Sequence, residues 1–296
     1  MVMAKRKNMM RKNLRRTIQK SLGRFVAIVA IIALGAGLFV GLLATKQDMV
    51  DTCQWYPDKQ NMFDLRLIST YGWTQEDVYD IAQIEGVVDA EGAIGLDALL
   101  HKNYEEDSSA YHLMSIPEDV NRVELQGGRM PQSPDECLAD GYHADKSILG
   151  TQFTVSDSNS QDTIDSLSCK TYTVVGYVST PLYMNMQRGN TSIGNGQVAT
   201  FLYLMPEGFD VDYYTDIYVT IPGDYAIYTD EYDDAMDTAA EDLEPLLQPL
   251  ADARLVQVKQ EAEEEYAQGL AEYEDGVAQY EKGKKEAEQE LSDAKK

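Results

Sequence analysis

The sequence predicts an α+β extracytoplasmic domain with one N-terminal transmembrane helix and a long C-terminal coiled-coil helix. Three observations predict this class: an uncharged apolar run at residues 25–44, strand-like segments separated by a helix within residues 45–225, and a seven-residue repeat near the C-terminus. Strand segments that do not alternate strictly with helices are typical of α+β rather than α/β folds.

The charge is divided unevenly along the 296 residues. Residues 1–44 hold nine of the 25 basic residues and none of the 50 acidic residues, although the whole chain carries a net charge of −25. Such asymmetry argues against a single soluble unit. The acidic remainder would repel a phosphate backbone, so nucleic acid is not an expected partner. A hydrophobic fraction of 44% is enough for a globular core, which argues against general disorder.

Residues 25–44 are twenty residues without a charge or an amide side chain. As a helix they would span roughly 30 Å, the thickness of the hydrocarbon core of a bilayer. The basic residues all precede this run, so the positive-inside tendency predicts a cytoplasmic segment at residues 1–24 and an extracytoplasmic location for residues 45–296. A cleaved signal peptide is the alternative, but its apolar run is shorter, about 7–15 residues.

Gly37 and Gly41 form a G-x-x-x-G pair inside this predicted membrane helix. Such a pair lets a second helix approach closely. Ordinary enrichment of glycine in membrane helices explains the same residues equally well. Both interpretations stay open at this point.

Residues 45–225 are predicted to form the extracytoplasmic α+β core domain. Residues 63–69 alternate apolar and polar side chains, as a half-buried strand does. A helix should follow, with Thr74 as its N-cap and Gly86 as its stop. Further strand-like segments, rich in β-branched and aromatic residues, lie at residues 170–179, 198–204 and 215–221.

Two helical segments are predicted after this domain. Residues 226–250 have amphipathic spacing, and Pro245 and Pro249 predict a break or corner between helices. Residues 251–296 contain no proline and are predicted to be the first arm of a coiled coil.

A heptad repeat supports the coiled-coil interpretation. Tyrosines and glycines each recur every seven residues, the glycines at Gly269, Gly276 and Gly283. Each glycine costs about 0.8–1 kcal/mol in a helix interior, so their fixed spacing suggests either close approach of another backbone or room for the tyrosines. The predicted seam consists of Leu270, Tyr273, Val277, Tyr280, Ala287 and Leu291.

An exposed seam needs a partner, which favours an antiparallel hairpin over a lone solvated helix. No return helix follows, because the heptads continue to the last residue. We therefore expect this chain to be part of a longer protein or the product of a shortened reading frame.

No catalytic, cofactor or metal site is predicted. His101, His112 and His143 lack the spacing of metal ligands. The sequence contains no H-E-x-x-H, C-x-x-C, G-x-S-x-G or Walker motif. The three cysteines, Cys53, Cys137 and Cys169, are too few for a disulfide scaffold.

Two local patterns have a plain structural interpretation. Asn190 begins a glycosylation sequon, a short pattern with many chance matches. Asp230, Glu231, Asp233 and Asp234 are clustered but lack the spacing of a calcium loop, so a solvated helix face is expected.

Several stretches together resemble the N-terminal part of an FtsX-like, MacB-type ABC transporter permease. The strongest match is YTVVGYVSTPLYMNMQRGNTSIGNG at residues 172–196. Residues 15–45 resemble the first membrane helix of that family, and residues 251–296 look like the coiled-coil insertion of some members. Three further stretches match in the same order, at residues 63–87, 123–140 and 212–223.

The resemblance implies a permease subunit of the bacterial plasma membrane. Such permeases have further membrane helices after the outer domain, and a separate cytoplasmic ABC ATPase binds ATP for them. They have no catalytic residues of their own, so no enzyme activity and no cofactor are expected here. The implied role is to transmit ATPase-driven motion to the outer domain. Export or extraction of a peptide, lipid or lipoprotein, or signalling to the cell wall, would follow, with a cell-wall or extracellular protein meeting the coiled-coil tip.

Two other functions stay open from the residues alone. A single-pass coiled-coil surface scaffold would need no further membrane helices. A tethered extracellular enzyme would need a convergent set of nucleophile, base or metal ligands, and no motif for one is present.

Overall fold

The computed structural model describes residues 2–103, 105–142, 144–223 and 225–293. The chain divides into two compact units, Met1–Tyr56 and Pro57–Lys296. The second unit combines a β-barrel, a three-stranded sheet and a long helix. This confirms the predicted α+β class.

The first unit is helical. It contains α1 (Val2–Lys20) and most of α2 (Leu22–Lys59). Among the described residues, α2 is the one helix long and apolar enough to cross a membrane, and it includes the predicted span at residues 25–44.

Six strands of the second unit close into a barrel. The ring order is β8-β6-β9-β4-β3-β7, and β7 pairs back onto β8. One edge of β8 pairs with β7 at its start and with β5 at its end, while the other edge pairs with β6. The strands are β3 (Gly95–Lys102), β4 (Ser108–Ser115), β5 (Glu124–Gly128), β6 (Glu136–Asp140), β7 (Gln152–Val155), β8 (Thr171–Ser179) and β9 (Val198–Leu204), with the short helix α4 (Gln161–Asp165) between β7 and β8.

Alternate residues of the six ring strands fill the barrel. Each strand contributes two buried side chains to one apolar cluster. Tyr172 is fully buried there, and its hydroxyl donates a hydrogen bond to the Gly208 carbonyl at 2.8 Å, so its polar end is satisfied. The interior residues are Ala98, Leu100, Tyr111, Leu113, Cys137, Ala139, Phe153, Val155, Tyr172, Val174, Leu202 and Leu204.

The three-stranded sheet has the antiparallel order β1-β10-β2. Its strands are β1 (Leu65–Trp73), β2 (Asp89–Ala93) and β10 (Tyr214–Thr220). Its apolar face packs against α3 (Gln75–Ala82) and α5 (Asp230–Asp293). Along the chain, β1 and β2 precede the barrel strands and β10 follows them.

Helix α3 begins as predicted. Thr74 and Asp77 form a capping box, in which the Thr74 side chain accepts from the Asp77 amide and Asp77 accepts from the Thr74 amide. The helix ends at Ala82, earlier than the predicted stop at Gly86. Tight turns follow, because the amides of Gln83 and Ile84 bond to carbonyls three residues back.

The predicted corner at Pro245 and Pro249 is wrong, because α5 continues through both residues. Both prolines lie on the exposed side of the helix, whereas Leu243 on the other side is buried against the sheet. Each proline removes one helical hydrogen bond. The carbonyls that lose a partner belong to Glu241 and Pro245, which are both exposed, so water can bond to them. The apolar face of the helix packs on the sheet, which keeps the helix continuous.

Helix α5 stays on the sheet beyond residue 251, the predicted start of the arm. The Arg254 side chain is 11% exposed, and its Nε lies 3.4 Å from the Tyr71 carbonyl oxygen. Val258 is still half-buried. The arm leaves the sheet about two turns later than the sequence predicted.

Candidate functional site

The predicted helix-packing pair in the membrane span, Gly37 and Gly41, has open space around it. A Cβ added at Gly37 or Gly41 would meet nothing within 4 Å. No second helix packs on this face among the described residues. Helix pairing through Gly37 and Gly41 therefore stays a prediction.

The predicted coiled-coil seam is exposed along the arm. Leu270 and Val277 are 46% and 41% exposed, and Tyr273 and Tyr280 are more exposed still. Ala287 is also exposed, and the side chain of Leu291 lies outside the described residues. Burial of this seam by a partner helix stays a prediction.

The glycines beside the seam leave room for close approach. A Cβ added at Gly269, Gly276 or Gly283 would meet nothing within 4 Å. The arm therefore carries a stripe of apolar and tyrosine side chains, edged by gaps where another backbone could lie.

Asp64 ties three elements together at the root of α5. Its Oδ2 accepts from the Ile221 amide at 2.9 Å, just after β10, and its Oδ1 accepts from the Tyr232 hydroxyl at 3.2 Å, in the first turn of α5. Asp64 itself immediately precedes β1. Burial raises the pKa of Asp64, and burial together with this carboxylate raises the pKa of Tyr232 to about 12.

A buried ion pair fixes the loop after β8. Arg188 Nε donates to Asp140 Oδ2 at 2.6 Å, and both side chains are less than 5% exposed. Asp140 also accepts from the Thr200 hydroxyl at 2.8 Å and from the Tyr142 amide at 2.9 Å. Arg188 Nη1 donates to the Asn185 carbonyl. The charges are thus paired and hydrogen-bonded, as burial requires.

Aromatic rings surround the Arg188 guanidinium. Its Cζ lies 5.3 Å from the Tyr183 ring centroid and 5.5 Å from those of Tyr142 and Phe201. Tyr183 stacks on Phe201 with centroids 4.9 Å apart. These cation–π contacts add to the ion pair in holding the segment between β8 and β9 on the outside of the barrel.

Two further ion pairs lie near Tyr183. Arg66 Nε lies 2.7 Å from Asp216 Oδ1, and His112 Nδ1 lies 2.6 Å from Asp97 Oδ1. Burial opposes ionisation of Asp97, but hydrogen bonds with His112 and Thr191 hold its pKa below the usual value. His112 is therefore occupied by a carboxylate from the neighbouring strand.

The other histidines and the three cysteines do not form a site in the described residues. His101 Nε2 lies 3.0 Å from the Ser156 hydroxyl, and His143 lies outside the described residues. Within the described ranges, no group of three or more His, Cys, Asp or Glu could hold a metal ion. Cys53 is exposed, Cys137 is buried in the barrel and Cys169 is half-buried, all as free thiols.

The acidic cluster and the sequon are both on the surface. Asp230, Glu231, Asp233 and Asp234 are all exposed, and the first three lie in the first turn of α5, where acidic side chains interact favourably with the helix dipole. Asn190 is exposed in the loop between β8 and β9.

No protein-family model and no curated protein matches the sequence. Two similar solved structures are the extracellular domain of the noncanonic ABC-type transporter YknZ from Gram-positive bacteria and the periplasmic region of MacB from Actinobacillus actinomycetemcomitans. Both are extracytoplasmic transporter domains. Each is 12% identical to this chain, with TM-scores of 0.33 and 0.36.

The YknZ match covers 57% of this chain and 80% of that domain, and the MacB match covers 63% and 76%. These structures are of the kind that the sequence resemblance indicates. At this identity and TM-score, the similarity assigns no function to this chain.

Replacing Arg188 with methionine should lower the free energy of unfolding by about 3–5 kcal/mol, because Asp140 would be left buried without its counter-charge. The double variant Asp140→Asn with Arg188→Met should recover part of this loss, since the asparagine oxygen still accepts from the Tyr142 amide and its NH₂ group can donate to the Thr200 hydroxyl. Denaturant unfolding of the full chain in detergent micelles measures both variants.

The matched control for this experiment is Lys170→Met. It breaks an ion pair with Asp157 in which both side chains are more than 70% exposed, so its effect should stay within about 0.5 kcal/mol. Equal losses in Arg188→Met and Lys170→Met would contradict the assigned role of the buried pair.

Glu136 gives a pH-dependent prediction. Hydrogen bonds from Arg129, and then from the Gln132 amide, lower its pKa from 4.5 to about 2. A lowered pKa means that the stabilisation is present above pH 4.5 and is lost as the pH falls toward 2. The melting temperature of Glu136→Gln should therefore be lower than that of the wild type at neutral pH, and the two values should converge in acid. A difference that is constant over this range would contradict the interpretation, and Arg129→Gln should show the same convergence.

Proposed function

We propose that this chain is the membrane-spanning permease subunit of an FtsX/MacB-like ABC transporter, which transmits ATPase-driven motion to an extracytoplasmic domain. The observation that carries the proposal is the combination within one chain of three features. These are an apolar helix preceded by basic residues, an acidic α+β unit, and a long arm with an exposed heptad seam. The family resemblance of residues 172–196 and the flanking stretches supports it.

The structure supports a mechanical role for the second unit. The barrel is closed, so its strands should move together as one unit. The buried Arg188–Asp140 pair should hold the loop after β8 to that unit. Asp64 joins the start of β1, the end of β10 and the first turn of α5. A displacement that reaches residues 57–64 would pass through this joint to the arm.

In this proposal ATP is bound by a separate cytoplasmic ATPase subunit, and this chain takes no cofactor and catalyses no reaction. Further membrane helices of the same permease would pack against Gly37 and Gly41. The arm would meet a cell-wall or extracellular protein, and the work done would be export or extraction of a peptide, lipid or lipoprotein, or signalling to the cell wall.

The alternative is a single-pass coiled-coil surface scaffold without a transport role. The exposed seam of the arm favours it, because a lone helix with such a stripe would bind a helical partner whether or not an ATPase is present.

The topology can be tested at Cys53, which is exposed and follows the apolar span. In a Cys137→Ser, Cys169→Ser background, a membrane-impermeant maleimide should label Cys53 in intact cells. The added Cys53→Ser substitution should abolish labelling. If labelling requires permeabilised cells, residues 45–296 are cytoplasmic and the proposal fails.

Assembly with an ATPase tests the transporter role directly. The chain, tagged in its source cell and solubilised in mild detergent, should co-purify with an ABC ATPase. Gly37→Leu with Gly41→Leu should reduce the recovered ATPase, because the bulky side chains block helix approach. Gly35→Leu is the matched control, since Gly35 lies on another side of the helix and also has open space around it. Retention of the chain in membranes without any ATPase would favour the scaffold instead.

A further inference from the structure

A groove runs between strand β1 and helix α5 and encloses about 690 Å³. We call it the edge groove. Its strand side is lined by the consecutive residues Leu65, Arg66, Leu67 and Ile68, and its helix side by residues of α5 between Asp237 and Ala251. Because consecutive strand residues point to opposite faces, lining by all four shows that the groove follows the edge of the strand.

The edge that borders the groove is open. In the part of the chain that the structure describes, β1 pairs only with β10. A strand paired on one side directs the N–H and C=O groups of alternate residues away from its partner. Proteins usually blunt such an edge with proline, lysine or a covering segment. Leu65–Ile68 has neither proline nor lysine, and its one charged residue, Arg66, is paired with Asp216. The irregularity in β1 comes later, between Ile68 and Trp73.

Trp73 lines the groove and carries an unsatisfied donor. Its side chain is buried, at 4% exposure, and its indole Nε1 has no hydrogen-bond partner. A buried donor without an acceptor costs about 1–3 kcal/mol. Because Trp73 also lines the groove, its fluorescence emission should respond to an occupant.

The rim of the groove is acidic. Asp237, Glu241 and Glu244 are exposed at helical spacing on one side of α5. None of the three has an ion-pair or hydrogen-bond partner among the described residues. Arg66, the basic residue of the lining, is already engaged by Asp216. The rim therefore presents negative charge to any occupant.

We infer that the edge groove binds an extended segment of a partner protein, which adds a strand to β1, places apolar side chains against Leu67 and Leu247, and brings Lys or Arg to the acidic rim. The open edge and the apolar lining fit strand addition. The unpaired carboxylates select the basic occupant. A second copy of this chain fits less well, because it would bring a second acidic α5 against the first.

This inference does not depend on the transporter role, because it rests on residues of the second unit alone. Its test uses the full chain in detergent micelles with Trp55→Phe, which leaves Trp73 as the only tryptophan. The probe is a short peptide that alternates valine and lysine. Its binding should change the Trp73 emission and slow amide hydrogen exchange at residues 65–68.

Three comparisons define the binding mode. A valine–glutamate peptide should bind much more weakly, and a valine–lysine peptide with a central proline should not bind, because proline cannot donate to the ladder. Glu241→Lys with Glu244→Lys should weaken binding by about tenfold. Glu274→Lys is the matched control on the exposed arm of α5, and it should leave affinity unchanged.

The inference is overturned if the glutamate peptide binds as well as the lysine peptide, or if the proline peptide retains affinity. It is also overturned if residues 65–68 gain no protection at saturating peptide. Self-association of the chain through β1, in place of peptide uptake, would assign the edge to a second copy and reject the inference.

Discussion

The pairing of β7 with β8 is the constraint on which the second unit depends. It turns a seven-stranded sheet into a ring of six strands, so that alternate residues of every ring strand share one interior. A closed ring has no free edges, and its interior needs no covering helix. The outer face of the barrel can then pack against other segments, and the segment between β8 and β9 lies on it. The open edge at β1 belongs to the other sheet, where closure does not protect it.

The outer face of the barrel is organised by charge rather than by apolar burial alone. Asp140 ends β6, and Arg188 lies 48 residues later in the loop before β9. Desolvating both groups is costly, and the pair holds because each has further hydrogen bonds and the guanidinium lies among three rings. Such a pair contributes more to one specific loop position than to net stability. It joins two of the stretches that carry the family resemblance, residues 123–140 and 172–196.

The two halves of helix α5 are stabilised in different ways. Its first half is stabilised by the sheet, and Leu243 and the Arg254 contact with Tyr71 anchor it. The described side chains of its second half are exposed. Its stability therefore comes from helix propensity, and a partner helix would add to it. A transmitted movement of the root would be magnified along the arm, because a rigid helix carries rotation over its length. The same geometry serves a transporter lever and a surface scaffold, which is why assembly with an ATPase decides between them.

Local signals in the sequence were sufficient for much of the secondary structure. The apolar run lies in α2, the Thr74 cap is correct, and the segments at residues 170–179, 198–204 and 215–221 are strands. Each depends on neighbouring residues: length, capping chemistry or β-branched content. The corner at Pro245 was wrong because proline's effect depends on which side of the helix faces solvent. Strands β5 to β7 were not predicted, since they are short and rely on partners far away in sequence. Strand β4 was not predicted because its segment, Ser108–Ser115, contains no β-branched residue.

The charge asymmetry, the membrane-compatible helix, the α+β class and the heptad pattern could all be read from the residues alone, because they follow from composition and periodicity. Ring closure through β8, the pairing of Arg188 with Asp140, and the groove between β1 and α5 became visible only in the folded chain. Each of these brings together residues tens to more than a hundred positions apart, and no local pattern specifies which distant groups meet.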